Sequence, residues 1–359
     1  MEFPTAIDLF AGCGGVTLGF KNVGFKVLAA VEINPVVAET FRLNHPEVIM
    51  YECDVRKVDP REMMERCGLR VGELTVLSVC APCQPFSRQN RSEKKKEDLR
   101  AYLVLDALRF VAEMKPWFVF LENVPGMEKG PHKDIVVRFI NELKRNGYTV
   151  LSPRVVDAVD YGVPQFRKRL ILLAGNRGES PFFPETTHAS PKIALETGKS
   201  SWRTVADAIT DLPPLRAGEQ SANDPLHKAR RHTPLTLERL RNIPHNGGSR
   251  DSLPPGLQLA CHKRGRTGYH DVYGRMDFSR PSNTLTTGCT NLTKGRFAHP
   301  EQDRAITPRE AARLQTFPDS YRFNGNYEQV SAQIGNAVPV LLVEVFADMF
   351  YGLWKRSNR

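Results

Sequence analysis

Two apolar strand-like runs in the first half of the chain end on side chains of complementary chemistry. In LTVLSVCAPCQPFS a buried strand runs out into a loop where Pro82 and Pro85 bracket Cys83, a thiol held in a fixed, exposed pose. In WFVFLENVPGM the strand closes on Glu122 and Asn123. If both strands belong to one parallel sheet, Cys83 and Glu122 leave from the same carboxyl edge, where open α/β sheets place their ligands. A thiolate and a carboxylic acid in that position suit an electron-poor pyrimidine. Sulfur adds to carbon 6 while the acid protonates or hydrogen-bonds nitrogen 3, and carbon 5 becomes nucleophilic. YGVPQFRKRLILLAG then presents Gln165, Arg167 and Arg169 just before another strand. Guanidinium groups there can hold a base carbonyl, the glutamate carboxylate or a phosphate, and a plain basic strand entry is the rival reading. Cys80 and Cys83 also form a CxxC, which admits a redox dithiol or half a zinc site. Zinc needs a second ligand pair, and Cys261, His262 and Cys289 lack metal-like spacing, so no metal is expected. Strand alternation directs Cys80 inward, against a redox role.

These residues need a sheet to position them. TAIDLF, KVLAAVEI, LTVLSVC, WFVFLEN and RLILLAG alternate with amphipathic stretches such as PVVAETFRLNH, LRAYLVLDALRFVAEMK and DIVVRFINELKRNG. The alternation reads as β-α-β units and a parallel, doubly wound sheet. The first strand enters AGCGGVTLGF, with Gly12, Gly14 and Gly15 at a turn into a helix, where backbone amides can approach a ligand. Thr17 occupies the place of the third glycine of the dinucleotide fingerprint, which disfavours nicotinamide or flavin cofactors. Glu32 closes the next strand and can accept both ribose hydroxyls; Asp54, after the third strand, can bind an adenine amino group. That set suits a nucleoside cofactor without a diphosphate. Near the end, QIGNAVPV is read as a tight Gly335-Asn336 turn leading to an amphipathic helix that packs back on the first domain.

The chain has 359 residues, 41% hydrophobic and 25% charged, an ordinary globular composition. No apolar run is read as approaching a membrane span, and the N-terminus lacks the features of a secretory signal, so a cytoplasmic location is expected. The seven cysteines are then not a disulfide framework. The formal net charge of +10 favours polyanions. Residues 216–275 hold eleven Lys or Arg against five Asp or Glu, an excess of six, which points to a nucleic-acid surface or to a solvated basic face. Texture changes after Gly175: Pro, Gly, Ser and Thr become frequent and helical periodicity fades, giving a boundary near residue 185.

Taken in order, DLFAGCGG, VEINP, CDV, APCQPFS, LENV, VPQFRKR, RAITPREAARLQTF and QIGNAVP resemble the motif series of the DNA (cytosine-5) methyltransferase family, of the bacterial type that accompanies restriction systems. The resemblance runs nearly end to end. It implies an α/β fold, with a doubly wound, mostly parallel sheet of the S-adenosylmethionine-dependent methyltransferase type and a smaller, loop-rich target-recognition domain. The expected divisions are 1–185 for catalysis and cofactor binding, 186–307 for target recognition, and 308–359 for a hinge and C-terminal return. Cys83 is implied as nucleophile, Glu122 as acid, and Arg167 and Arg169 as catalytic support. S-adenosyl-L-methionine is implied as the cofactor, held by Phe10, Ala11, Gly12, Gly14, Gly15, Glu32, Asp54, Pro82 and Asn336. The implied partners are double-stranded DNA and a separately acting cognate restriction endonuclease, with no membrane and a monomeric chain. The alternative is an RNA (tRNA) cytosine-5 methyltransferase, which shares the catalytic logic.

Overall fold

The computed structural model describes residues 2–82, 99–129, 133–176, 178, 180–259 and 271–358. Cys83, Pro85, Cys261 and His262 lie outside them. Two compact units emerge: Met1–Asp157 with Lys168–Thr186 and Val340–Arg359, and Ala158–Arg167 with Thr187–Pro339.

The first unit is built on one sheet. Its strands are β1 (Thr5–Leu9), β2 (Lys26–Val31), β3 (Ile49–Tyr51), β4 (Val76–Val79), β5 (Phe118–Asn123), β6 (Thr149–Val150), β7 (Arg154–Asp157) and β8 (Lys168–Gly175). They lie in the order β3-β2-β1-β4-β5-β8-β6, with β7 also paired to β8. The first five are mutually parallel, and β8 runs antiparallel to β5, β6 and β7. The helices are α1 (Gly15–Asn22), α2 (Pro35–Asn44), α3 (Pro60–Arg66), α4 (Leu103–Met114), α5 (Lys133–Arg145) and, from the far end of the chain, α11 (Val340–Ser357). Helix starts follow local chemistry. Asn34 and Asp59 cap α2 and α3 through their side chains, each followed by proline in the first turn.

Both faces of the sheet are covered, which is why its strands are continuous apolar runs without polar alternation. Ile7, Leu9, Leu77, Val79, Val119 and Leu121 share a core with Met63, Phe110 and Phe139 of α3, α4 and α5. On the alternate positions, Phe120 meets Phe20 of α1 at 6.4 Å and Phe346 of α11 at 5.6 Å between ring centroids. A Cβ added at Gly19 would stand 2.6 Å from Cβ of Val343, so α1 and α11 pack too closely for a larger residue.

The expectation that no apolar run approaches a membrane span needs correction. Tyr327–Ser357 is long and apolar enough by composition, with a mean hydropathy of 1.6 over an 18-residue window. Its apolar side chains are instead spent on the core: Phe346 and Phe350 of α11 are fully buried against the sheet phenylalanines.

The second unit has little regular structure. It holds a two-residue parallel pair, β9 (His188–Ala189) with β10 (Ser200–Ser201), and the helices α6 (Pro191–Thr197), α7 (Val205–Ile209), α8 (Pro234–Arg241), α9 (Pro308–Leu314) and α10 (Tyr327–Asn336). Capping boxes open α7, α9 and α10. Buried arginines tie its loops together. Arg275 donates to the carbonyls of Leu240, Ile243, His299 and Gln302 and pairs with Asp303. Arg304 makes two bonds to Glu310, at 2.7 and 2.8 Å. Part of the basic excess in 216–275 is therefore internal scaffolding: Arg250 and Arg275 are buried, Arg239 holds the Leu257 carbonyl and Arg230 pairs with Glu328. Composition alone overstated the basic surface there, because loops without backbone ladders need other donors for their carbonyls.

Candidate active site

The carboxyl ends of β1, β4 and β5 stand side by side, with Leu9 opposite Val79 and Val79 opposite Leu121. The loop that continues to Cys83 starts at this edge. Its first residues are fixed: Cys80 N donates to the Leu9 carbonyl at 3.3 Å, and the Asn123 amide donates to the Ala81 carbonyl at 3.0 Å. Asn123 is buried and also accepts from Val124 N through Oδ1. Sequence reasoning noted Asn123 but gave it no task; its position directly after the glutamate at a strand end was the available signal. Pro82, directly after Ala81, is half-buried.

Glu122 and Arg169 are brought together. Glu122 sits opposite Ile171 in the antiparallel β5–β8 pairing, which puts Arg169 on the diagonal two residues away, within reach of a long side chain. Arg169 Nε lies 2.7 Å from Glu122 Oε1, with the side chains 10% and 8% exposed. A second donor of Arg169, Nη1, holds the Lys168 carbonyl at 2.8 Å.

Arg167 belongs to the second unit. Its side chain is buried in the second unit, where it donates to the carbonyls of Leu285, Gly335 and Ala337 at 2.8 to 2.9 Å. These bonds make Arg167 a carbonyl clamp, shared with Gln165, which bonds Gln315 and the Leu285 amide. Removing a buried guanidinium that satisfies three carbonyls leaves them unpaired. Arg167→Ala is expected to lower unfolding free energy by about 3–5 kcal/mol in chemical denaturation; loss of turnover at unchanged stability would return Arg167 to the chemistry.

The glycine turn has an unusual backbone. Phe10, Gly12 and Gly14 all have positive φ, at 63°, 56° and 93°, and a non-glycine residue there carries strain that tends to be kept at ligand sites. Ala11 N holds the Val31 carbonyl, Gly14 N holds the Ala11 carbonyl, and Gly15 opens α1. The Glu32 carboxylate accepts from Gly12 N at 3.0 Å and Asn34 N at 2.8 Å. Burial moves its pKa up, while those amides pull it back. A Cβ at Gly12 would meet nothing within 4 Å, so open space adjoins the turn. Asp54 is engaged locally: it caps its own turn through Arg56 N and pairs with the exposed Arg56 guanidinium at 2.6 Å, which holds its pKa low. Asn336 is exposed at the last residue of α10. The expected Gly335-Asn336 turn is instead helix. Gly335 is required by proximity, since a Cβ there would fall 2.0 Å from the Thr286 carbonyl oxygen.

Cys80, expected to turn inward, is half-buried. Desolvation, reinforced by the Glu122 and Asp8 carboxylates, raises its thiol pKa well above the usual range. That suppresses thiolate and argues against a redox partner for Cys83.

Beneath the turn, Asp8 is fully buried; Oδ2 accepts from the Thr17 hydroxyl at 2.8 Å, and Oδ1 has no hydrogen-bond partner among the described residues. Burial pushes its pKa up to about 7, against the pull of Thr17 and Ser78. The fold therefore holds this proton more tightly than the unfolded chain. The associated stabilisation is complete below about pH 4 and fades as pH rises through about 7. Asp8→Asn, which cannot ionise, should gain on the parent by about 2–3 kcal/mol between pH 5 and 8 in parallel denaturation curves. A difference independent of pH would mean that Asp8 is ionised throughout.

The matches to known proteins agree with this geometry. The family model of C-5 cytosine-specific DNA methylase matches residues 5–351. The chain belongs to this family. It is 37% identical over 347 residues to the Type II methylase M.HgiDII of Herpetosiphon aurantiacus, covering 95% of this chain and 93% of that protein. It is 33% identical over 367 residues to the Type II methyltransferase M.XorII of Xanthomonas oryzae pv. oryzae, with 95% and 83% covered. Among solved structures, one described as a DNA modification methyltransferase encoded within an E. coli prophage superposes with a TM-score of 0.76 at 25% identity, covering 98% and 99% of the two chains. This C-5 cytosine-specific DNA methylase transfers a methyl group to carbon 5 of cytosine in DNA, and the matches do not favour the RNA reading.

Proposed function

We propose that this methylase takes its methyl group from S-adenosyl-L-methionine, works through a covalent bond between Cys83 and cytosine, and marks one DNA sequence within a restriction-modification system. The observation that carries the reading is the buried Glu122–Arg169 pair beside the anchored start of the Cys83 loop. The residues at the turn fit the donor: Glu32 offers a carboxylate to ribose hydroxyls, Gly12 leaves room beside it, and Phe10 and Pro82 supply apolar surface. Ala11, Gly14 and Gly15 shape the same turn, while the resemblance alone adds Asn336, and Asp54 serves once Arg56 shares it. When bound, the sulfonium supplies an electrophilic methyl group.

The protein's residues then prepare the acceptor. A cytosine must leave the duplex stack to be reached. The Cys83 thiolate forms a bond to carbon 6, and the electron pair displaced from the 5,6 double bond makes carbon 5 nucleophilic. Glu122 places a proton at nitrogen 3, where negative charge develops, and Arg169 orients that carboxyl. After carbon 5 is alkylated, loss of its proton and departure of the thiolate restore the ring, and nitrogen 3 returns its proton to Glu122. Residues 186–307 read the target sequence, and a separately encoded endonuclease cuts the unmodified site. Such an enzyme works where genomic DNA lies, which in a bacterium is the cytoplasm.

Sequencing of chemically converted genomic DNA from cells expressing the protein tests this. Methylcytosine at one position of one short motif is expected; scattered methylation without a motif would remove sequence-specific marking.

A further inference from the structure

A cavity of about 460 Å³ lies wholly within the second unit. Its floor is structural. Arg275 and Arg296 line it, but Arg275 is spent on internal carbonyls, and Arg296 donates to the Gly247, Gly248 and Arg275 carbonyls and pairs with Asp271. Two opposite charges on its wall are not spent in this way. Arg280 is exposed, and its guanidinium has no hydrogen bond or ion pair among the described residues. Asp277 lines the same cavity without pairing to Arg280; its Oδ1 caps the turn through Ser279, which leaves acceptor capacity on the carboxylate.

The turn that carries them is held rigidly. Arg280 N donates to the Asp277 carbonyl, and the carbonyls of Phe278 and Arg280 accept from Ala206 and Val205 at the start of α7. Next along the chain, Ser282 is bonded to Pro164, and Thr284 to the Phe166 carbonyl. A donor fork without a partner among the described residues and a carboxylate with spare acceptor capacity, on one fixed turn, suit a ligand that presents an acceptor and a donor on one edge. A phosphate does not meet that description, because the carboxylate would repel it. A guanine·cytosine pair does: guanine offers O6 and N7 to an arginine, and cytosine offers its N4 amino group to a carboxylate.

We propose that Arg280 and Asp277 are specificity-determining residues that read one G·C pair of the recognition sequence, a proposal that rests on the second unit being the part that reads DNA. Arg280 contacts the guanine and Asp277 its paired cytosine. Asn283 lines the same wall.

The test uses the full-length enzyme and a set of duplexes in which each pair of the wild-type motif is replaced in turn. Arg280→Ala should lose about 10- to 100-fold of its discrimination at one G·C position and keep it elsewhere. Asp277→Asn, which preserves the turn-capping oxygen, should relax the same position. Because Arg280 is exposed, folding is checked by thermal unfolding, and Arg280→Gln serves if the alanine variant does not fold. A uniform loss on every duplex, with a salt slope shallower by about one, would make Arg280 a phosphate contact and overturn the proposal. Unchanged discrimination in both variants would overturn it as well. Should the wild type itself show no preferred motif, the reading of the second unit fails first.

Discussion

Cys83→Ser leaves no measurable methylation, a loss of at least about 10⁴-fold in kcat, with affinity for the methyl donor within a few-fold of the parent. The hydroxyl keeps the size and polarity of the side chain, but an alcohol is almost wholly protonated at neutral pH and cannot supply the anion that adds to carbon 6. The donor site proposed above is built from the β1 turn and Glu32, which the substitution leaves intact. Radiolabelled methyl transfer and a cofactor titration on the same sample separate the two quantities. Substantial residual turnover would mean that carbon 5 is activated without a covalent bond.

Glu122→Gln is expected to reduce kcat by about 10²–10³-fold while DNA affinity shifts by less than about threefold. Glutamine retains the shape yet neither carries the proton for nitrogen 3 nor balances the guanidinium 2.7 Å away. Arg169→Lys should fall between the parent and Glu122→Gln, because lysine keeps the charge and loses the planar fork. Single-turnover rates, compared with binding curves on the same duplex, provide the check. A large affinity change at constant rate would assign Glu122 to binding instead.

The frame that holds these groups was largely legible because its physics is local. Parallel strands buried on both faces must be apolar runs, and TAIDLF, LTVLSVC and WFVFLEN are such runs, which become β1, β4 and β5. The shared edge of Glu122 and the Cys83 loop follows from parallel pairing alone. What stayed hidden depends on register and on long-range packing. The meeting of Glu122 with Arg169 requires the antiparallel pairing of β5 and β8, which no spacing in the chain discloses. Arg167, two residues earlier and just before β8, goes to the carbonyls of Leu285, Gly335 and Ala337, partners 118 to 170 positions distant that only the fold brings to it. Gly335 looked like a turn residue, whereas its small size answers a contact with Thr286 that is 49 positions distant. In the second unit, α6, α7 and α8 are too short for their periodicity to stand out. Its basic residues divide between internal clamps such as Arg275 and groups such as Arg280 that have no partner among the described residues, a distinction that charge counting cannot make.

The most direct measurement is a mechanism-based trap. A duplex carrying 5-fluorocytosine at the target position, incubated with enzyme and S-adenosyl-L-methionine, places fluorine where a proton must leave, so the ring cannot expel the sulfur after methylation. A denaturation-resistant complex should accumulate to one DNA per protein, and mass spectrometry should place the bond on the peptide containing Cys83. Brisk methylation of the unmodified duplex with no trapped complex on the fluorinated one would contradict covalent activation.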